Sequence, residues 1–188
     1  MAQGIIRRAR TALLSPRKAI EATTYETLTI HDAVTYLAIL AGFRALSGLI
    51  GYGLFGETPF HLAFISELVG IILILGAALG LAFILRHLSG HNHTTSQDMR
   101  GLKLSLLAFT PFLVAGLLRA IPFVYFLQFA ALILSGYILM RGMGTIVTVK
   151  EHERKRSGIL AIVAMIILVA IISAIQITIR SGTAIGSL

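Results

Sequence analysis

Five long, mostly apolar runs recur along this chain, at about 32–55, 60–86, 102–120, 122–144 and 157–179. An α-helix needs roughly 20 such residues to cross a bilayer, and soluble cores seldom offer that length more than once. With 56% hydrophobic residues, 13% charged residues and a mean hydropathy of +0.88, the chain lies far from a soluble composition. The pattern predicts an all-α polytopic membrane protein, a bundle of five transmembrane helices over residues 31–180. A cytoplasmic amphipathic segment, residues 1–30, precedes it, and a short external tail, 181–188, follows.

Charge sets the expected orientation. If the N-terminus is cytoplasmic, all but Arg44, Arg119 and Arg180 of the 16 basic residues fall on or beside cytoplasmic segments. That bias predicts an N-in, C-out chain, and it explains the net charge of +8 without nucleic acid. After Arg7, Arg8 and Arg10 only the short Ala12-Leu13-Leu14 stretch follows before Ser15-Pro16, too little for a signal-peptide core. The first span is therefore expected to double as the insertion signal.

Residues 2–14 put Ile5, Ile6, Ala9 and Leu13 on one helical face and Arg7, Arg8 and Arg10 mostly around the other. This predicts an interfacial helix held by anionic lipid headgroups, with a partner-binding arm as the other reading. Ser15-Pro16 then reads as a side-chain cap and a helix start, opening a second short helix towards Leu28. The turns at Gly56-Glu57-Thr58-Pro59 and Ala120-Ile121-Pro122 are minimal, so spans one and two, and three and four, read as tight hairpins.

Two charges interrupt the apolar runs. In a hairpin turning near residue 57, Arg44 faces roughly residue 71, one turn from Glu67. A charge in hydrocarbon costs several kcal/mol unless paired, so the two are expected to form an intramembrane pair. The pair orients the hairpin, or else marks a polar pathway. Gln128 and Gln176 read as helix bridges. Gly76 and Gly80 give span two a small face, expected to serve internal packing or a homo-oligomer contact, and to make this helix central. Pro111 should kink span three, with Thr110 satisfying the freed carbonyl, and Pro122 should punctuate the next turn.

The stretch Arg86-His87-Leu88-Ser89-Gly90-His91-Asn92-His93, with Asp98 behind it, holds enough imidazoles for zinc. However, His91 and His93 alternate around a Gly/Asn turn with no evident supporting shell. The segment reads as a solvated cytoplasmic loop, and no metal or cofactor is assigned. There is no cysteine, and the Walker, GxSxG and HExxH signatures are missing. No catalytic residues are assigned, and the chain is read as a non-enzyme.

Ordered short elements resemble the Yip family, the Yip-one domain. They are Ser15-Pro16-Arg17-Lys18 ahead of the first span, a Gly/Ser/Thr-bearing loop, Leu107-Ala108-Phe109-Thr110-Pro111-Phe112, and Ile121-Pro122. Tyr137-Ile138-Leu139-Met140-Arg141-Gly142-Met143-Gly144 and a basic segment then lead into the last span. The family comprises five-span membrane proteins whose eukaryotic members associate with Ypt/Rab GTPases in vesicle traffic. The Asp-Leu-Tyr-Gly-Pro element of the eukaryotic branch is absent, and so is the long N-terminal domain of many eukaryotic members. The resemblance is thus to a compact, prokaryotic-type member in the cell membrane, to which Rab partners do not carry over.

The resemblance implies a scaffold or adaptor acting on membrane or cytoplasmic proteins. Its expected contacts are Arg7, Arg8, Arg10, Arg100, Lys103, Arg154, Lys155 and Arg156. The alternative is a small transporter or channel built on Arg44 and Glu67.

Overall fold

The computed structural model describes residues 2–56, 58–88, 95–121, 126–147, 149 and 151–182, excepting the side chains of 2–5, 54 and 95–98. Among these residues seven α-helices follow one another: α1 (Ala2–Leu14), α2 (Pro16–Tyr25), α3 (Ile30–Gly48), α4 (Phe60–Leu88), α5 (Thr95–Gly116), α6 (Phe126–Gly142) and α7 (Arg154–Arg180). A π-helical turn, Leu49–Leu54, prolongs α3, and a 3-10 turn, Leu117–Ala120, prolongs α5.

Four helical stretches among the described residues are long and apolar enough to cross a membrane: Ile30–Gly53, Phe60–Leu88, Met99–Ala120 and Arg154–Arg180. Helix α6 is apolar too, and its 17 described residues reach about 25 Å at 1.5 Å per residue. Large apolar side chains cover the outside of the bundle, among them Phe43, Phe64, Ile72, Phe83, Phe129 and Ile166. A surface of this kind is stable in lipid and would be a liability in water.

Helix α5 is a central element. It packs against α3, α4 and α6 and also touches α1 and α2. Leu104, Leu106, Leu107, Phe109 and Leu113 are buried around its circumference. The reason is polar: lipid is as apolar as leucine, so hydroxyls rather than apolar stripes choose the inward face. Ser105 Oγ donates to the Ala78 carbonyl at 2.6 Å. Thr110 Oγ1 donates to the Leu106 carbonyl at 2.9 Å and lies 3.2 Å from the Tyr36 hydroxyl on α3.

Several expectations are corrected here. Span two shares the central place with α5, packing against α3, α5 and α7, but not through Gly76 and Gly80: a methyl group on either meets no atom within 4 Å among the described residues. Thr110 takes the Leu106 carbonyl, one residue before the carbonyl of Leu107 that Pro111 leaves free, because its own hydroxyl reaches back four residues. Ser15 precedes α2 without a side-chain cap bond. The cap sits instead at α3, where Thr29 Oγ1 accepts from the Asp32 amide at 3.1 Å and the Asp32 carboxylate accepts from the Thr29 amide at 3.3 Å. This reciprocal arrangement satisfies two amides that a helix start leaves unpaired.

In the N-terminal pair, Ala9 and Ala12 of α1 are buried where it lies against α2 and α5, whereas Ile6 is exposed. Ala19 and Ile20 of α2 and Leu28 join the main core.

Candidate functional site

The end of the bundle remote from α1 holds a buried polar cluster centred on Glu67, which is 2% exposed. Arg44 Nη1 of α3 lies 3.8 Å from Glu67 Oε2. Arg119 Nη1, from the 3-10 turn after α5, lies 3.4 Å from Oε1. Arg180 Nη2, at the end of α7, lies 3.5 Å from the same Oε1. One carboxylate therefore ties four elements together.

Neutral groups complete the cluster. Gln176 Oε1 accepts from Arg44 Nη2 at 3.3 Å, and Gln176 Nε2 donates to the Ser66 carbonyl at 3.2 Å. Ser66 Oγ donates to the Gln176 carbonyl at 3.3 Å and accepts from Arg180 Nε at 3.0 Å. The Tyr52 ring carries two guanidiniums, Arg119 at 5.1 Å and Arg180 at 3.9 Å from its centroid. Tyr52 owes its position to the π-helical turn, whose Gly51 lets the backbone come against the Arg119 carbonyl. π-Turns recur at functional sites because the extra residue re-aims a side chain.

Glycines make the room. A methyl on Gly48 would collide with the Glu67 carboxylate, and one on Gly70 with Gln176. On Gly116 it would sit 2.6 Å from Arg44 Cγ. Each of α3, α4 and α5 thus gives up one side chain to the cluster.

The opposite end carries most of the remaining basic residues. Arg7, Arg10, Arg100, Lys155 and Arg156 are exposed there, and Lys103 is half-buried. Arg8 is engaged inside the fold, paired with Glu26 and lying 5.2 Å above the Tyr36 ring. Arg154 is also committed internally: its Nε donates to the Met143 carbonyl at 2.6 Å and its Nη2 to that of Arg141 at 3.5 Å. It clasps the turn in which Gly144 adopts a φ of +97°, a conformation that favours glycine.

Two cavities open at this end. One, of about 490 Å³, is lined by Arg7, Arg8, Thr23, Glu26, His31 and Tyr36 among others. The second, of about 570 Å³, lies between the α2–α3 link and the segments holding Arg100, Lys103 and Thr145. Pro111 lies buried within α5, while Pro122 falls outside the described residues, as do His91, His93 and the side chain of Asp98. His87 is exposed, its ring 5.6 Å from that of Phe83.

A family model, the Yip1 domain, matches residues 10–175. The chain belongs to the Yip1 domain family. It is accordingly an integral, multi-pass membrane protein. No curated protein and no solved structure matches it. The Yip1 domain match includes Arg44, Glu67 and Arg119 and ends just before Gln176 and Arg180.

Arg119 and Arg180 were not singled out as site residues from the sequence, although they carried a signal. They are the two basic residues that the positive-inside tally puts on the far side, and both turn in towards Glu67.

Proposed function

We propose that this Yip1 domain protein is a non-enzymatic membrane scaffold or adaptor. It spans the bilayer five times with its N-terminus inside and gathers membrane or partner proteins on its basic cytoplasmic face. The observation that carries this reading is the pair of cavities at the α1 end, rimmed by Arg7, Arg100 and Lys103. Basic groups beside open grooves of mixed polar and apolar lining suit acidic protein segments, and they also hold the face against anionic headgroups.

Site-specific photocrosslinkers at Arg10, Arg100 and Lys155 in native membranes test this reading. Defined partner bands from these positions, with none from lipid-facing Ile133, are expected. Recovery of the protein alone from all three positions would overturn it. The transport reading rested on Arg44 and Glu67, which are closed in by glycine-mediated packing and suit an anchor better than a path. Solute or proton flux in reconstituted vesicles, abolished by Arg44→Ala, would reverse that preference.

A further inference from the structure

The cluster around Glu67 carries a surplus of positive charge. Three guanidiniums meet one carboxylate, and among the described residues no other carboxylate pairs with Arg44, Arg119 or Arg180. Such a surplus between apolar helices is unfavourable unless a counter-charge or water reaches it. Hydrogen bonding within the cluster is incomplete: the Nε atoms of Arg44 and Arg119, in residues 3% and 8% exposed, have no hydrogen-bond partner among the described residues, and neither does Glu67 Oε2, which Arg44 Nη1 approaches only to 3.8 Å.

The cluster is also reachable. The Arg180 side chain keeps 12% of its surface exposed, and Tyr52 beside it is half-buried. Arg119 and Arg180 both lie at helix ends, the depth at which a spanning bundle meets phospholipid headgroups. Guanidinium forks are matched in shape and charge to phosphate oxygens.

We propose that the end of the cluster framed by Tyr52, Arg119 and Arg180 binds a phosphate group, carried by a phospholipid headgroup or by free inorganic phosphate. Its oxygens take guanidinium N–H groups that Glu67 leaves unmatched. The phosphate stands where a second carboxylate would otherwise be needed. This site is independent of the scaffold reading, whose basic groups lie at the other end of the bundle.

The test is thermal unfolding of the purified protein in neutral detergent. Inorganic phosphate, a short-chain phosphatidylglycerol and sodium chloride are compared at matched ionic strength. A rise in the midpoint with either phosphate carrier, beyond that with chloride, is expected. The rise should be at least halved in Arg180→Gln, retained in Arg180→Lys and in Arg17→Gln at the opposite end, and larger in Glu67→Gln, where the surplus grows. A response to inorganic phosphate identifies the free anion as sufficient, and a response to the lipid alone assigns the headgroup. No shift beyond chloride in the wild type, or a full shift in Arg180→Gln, would overturn the proposal. If Glu67→Gln does not fold, the Arg180 variants still decide.

Discussion

The guanidinium of Arg180 lies 3.9 Å from the ring centroid of Tyr52, joining the last helix to the π-helical turn that ends the first span. The two residues are far apart in sequence, and the contact depends on both ends being shaped for it. The turn swings Tyr52 inward, and α7 runs long enough to bring Arg180 level with Glu67.

Glu67 is the keystone carboxylate, so Glu67→Gln is expected to be the most damaging single change in the cluster. Removing one partner of a buried ion pair costs about 3–5 kcal/mol, and here three guanidiniums lose their partner together. Arg180→Gln, which removes a partly exposed member, should cost less. Unfolding midpoints in detergent rank the two variants, and an equal or smaller loss in Glu67→Gln would contradict the arrangement.

The glycines divide into two classes. Gly48→Ala and Gly70→Ala place a methyl against Glu67 and Gln176 respectively, and overpacking of this kind costs about 1–3 kcal/mol. Gly76→Ala and Gly80→Ala meet open space and should stay within about 1 kcal/mol of wild type, helped by the better helix propensity of alanine. The same unfolding assay separates the classes, and equal losses at Gly48 and Gly76 would refute the distinction.

Arg154 is expected to act as a clasp. Arg154→Ala removes two charge-assisted bonds to the Met143 and Arg141 carbonyls, of which a single one is worth about 1.5–3 kcal/mol. The segment between α6 and α7 should then be cut faster by protease, whereas Lys155→Ala, whose side chain is exposed, should be cut at the wild-type rate. Digestion time courses of the two variants give the comparison.

The capping box of α3 gives a smaller, local effect. Thr29→Ala leaves the Asp32 amide without its acceptor and should cost about 1 kcal/mol. Thr29→Ser keeps the acceptor and should recover most of that loss. Failure of the serine to recover any stability would place the effect of Thr29 elsewhere.

Much of this architecture was legible in the sequence, because hydropathy and length report spans directly. The long helices α4 and α7 fall within a few residues of the apolar runs read for them. Hairpin register set Arg44 about one turn from Glu67, and these side chains face each other at 3.8 Å. What stayed hidden depends on which helices are neighbours. Nothing in the order of residues says that the ends of α5 and α7 flank the same turn of α4, so Arg119 and Arg180 read only as outliers in a charge tally.

The spacing of Gly76 and Gly80 identified a small face without saying which way it points. The glycines that make room for the Glu67 cluster, Gly48, Gly70 and Gly116, lie on three different helices and form no motif along the chain. The Thr29-Ile30-His31-Asp32 cap could have been found from its spacing alone.

The reliance of Glu67 on α7 also has a temporal side. As the chain is made from its N-terminus, Arg44 and Glu67 enter the bilayer with charges that balance one to one. Arg119 then adds a positive charge, and the groups that complete the cluster, Gln176 and Arg180, are synthesised only after these three. Until α7 is seated, the first three spans carry a partly bonded polar knot in apolar surroundings. A chain that stops short of α7 therefore leaves exposed charge within the membrane, and the seating of α7 is what closes the cluster.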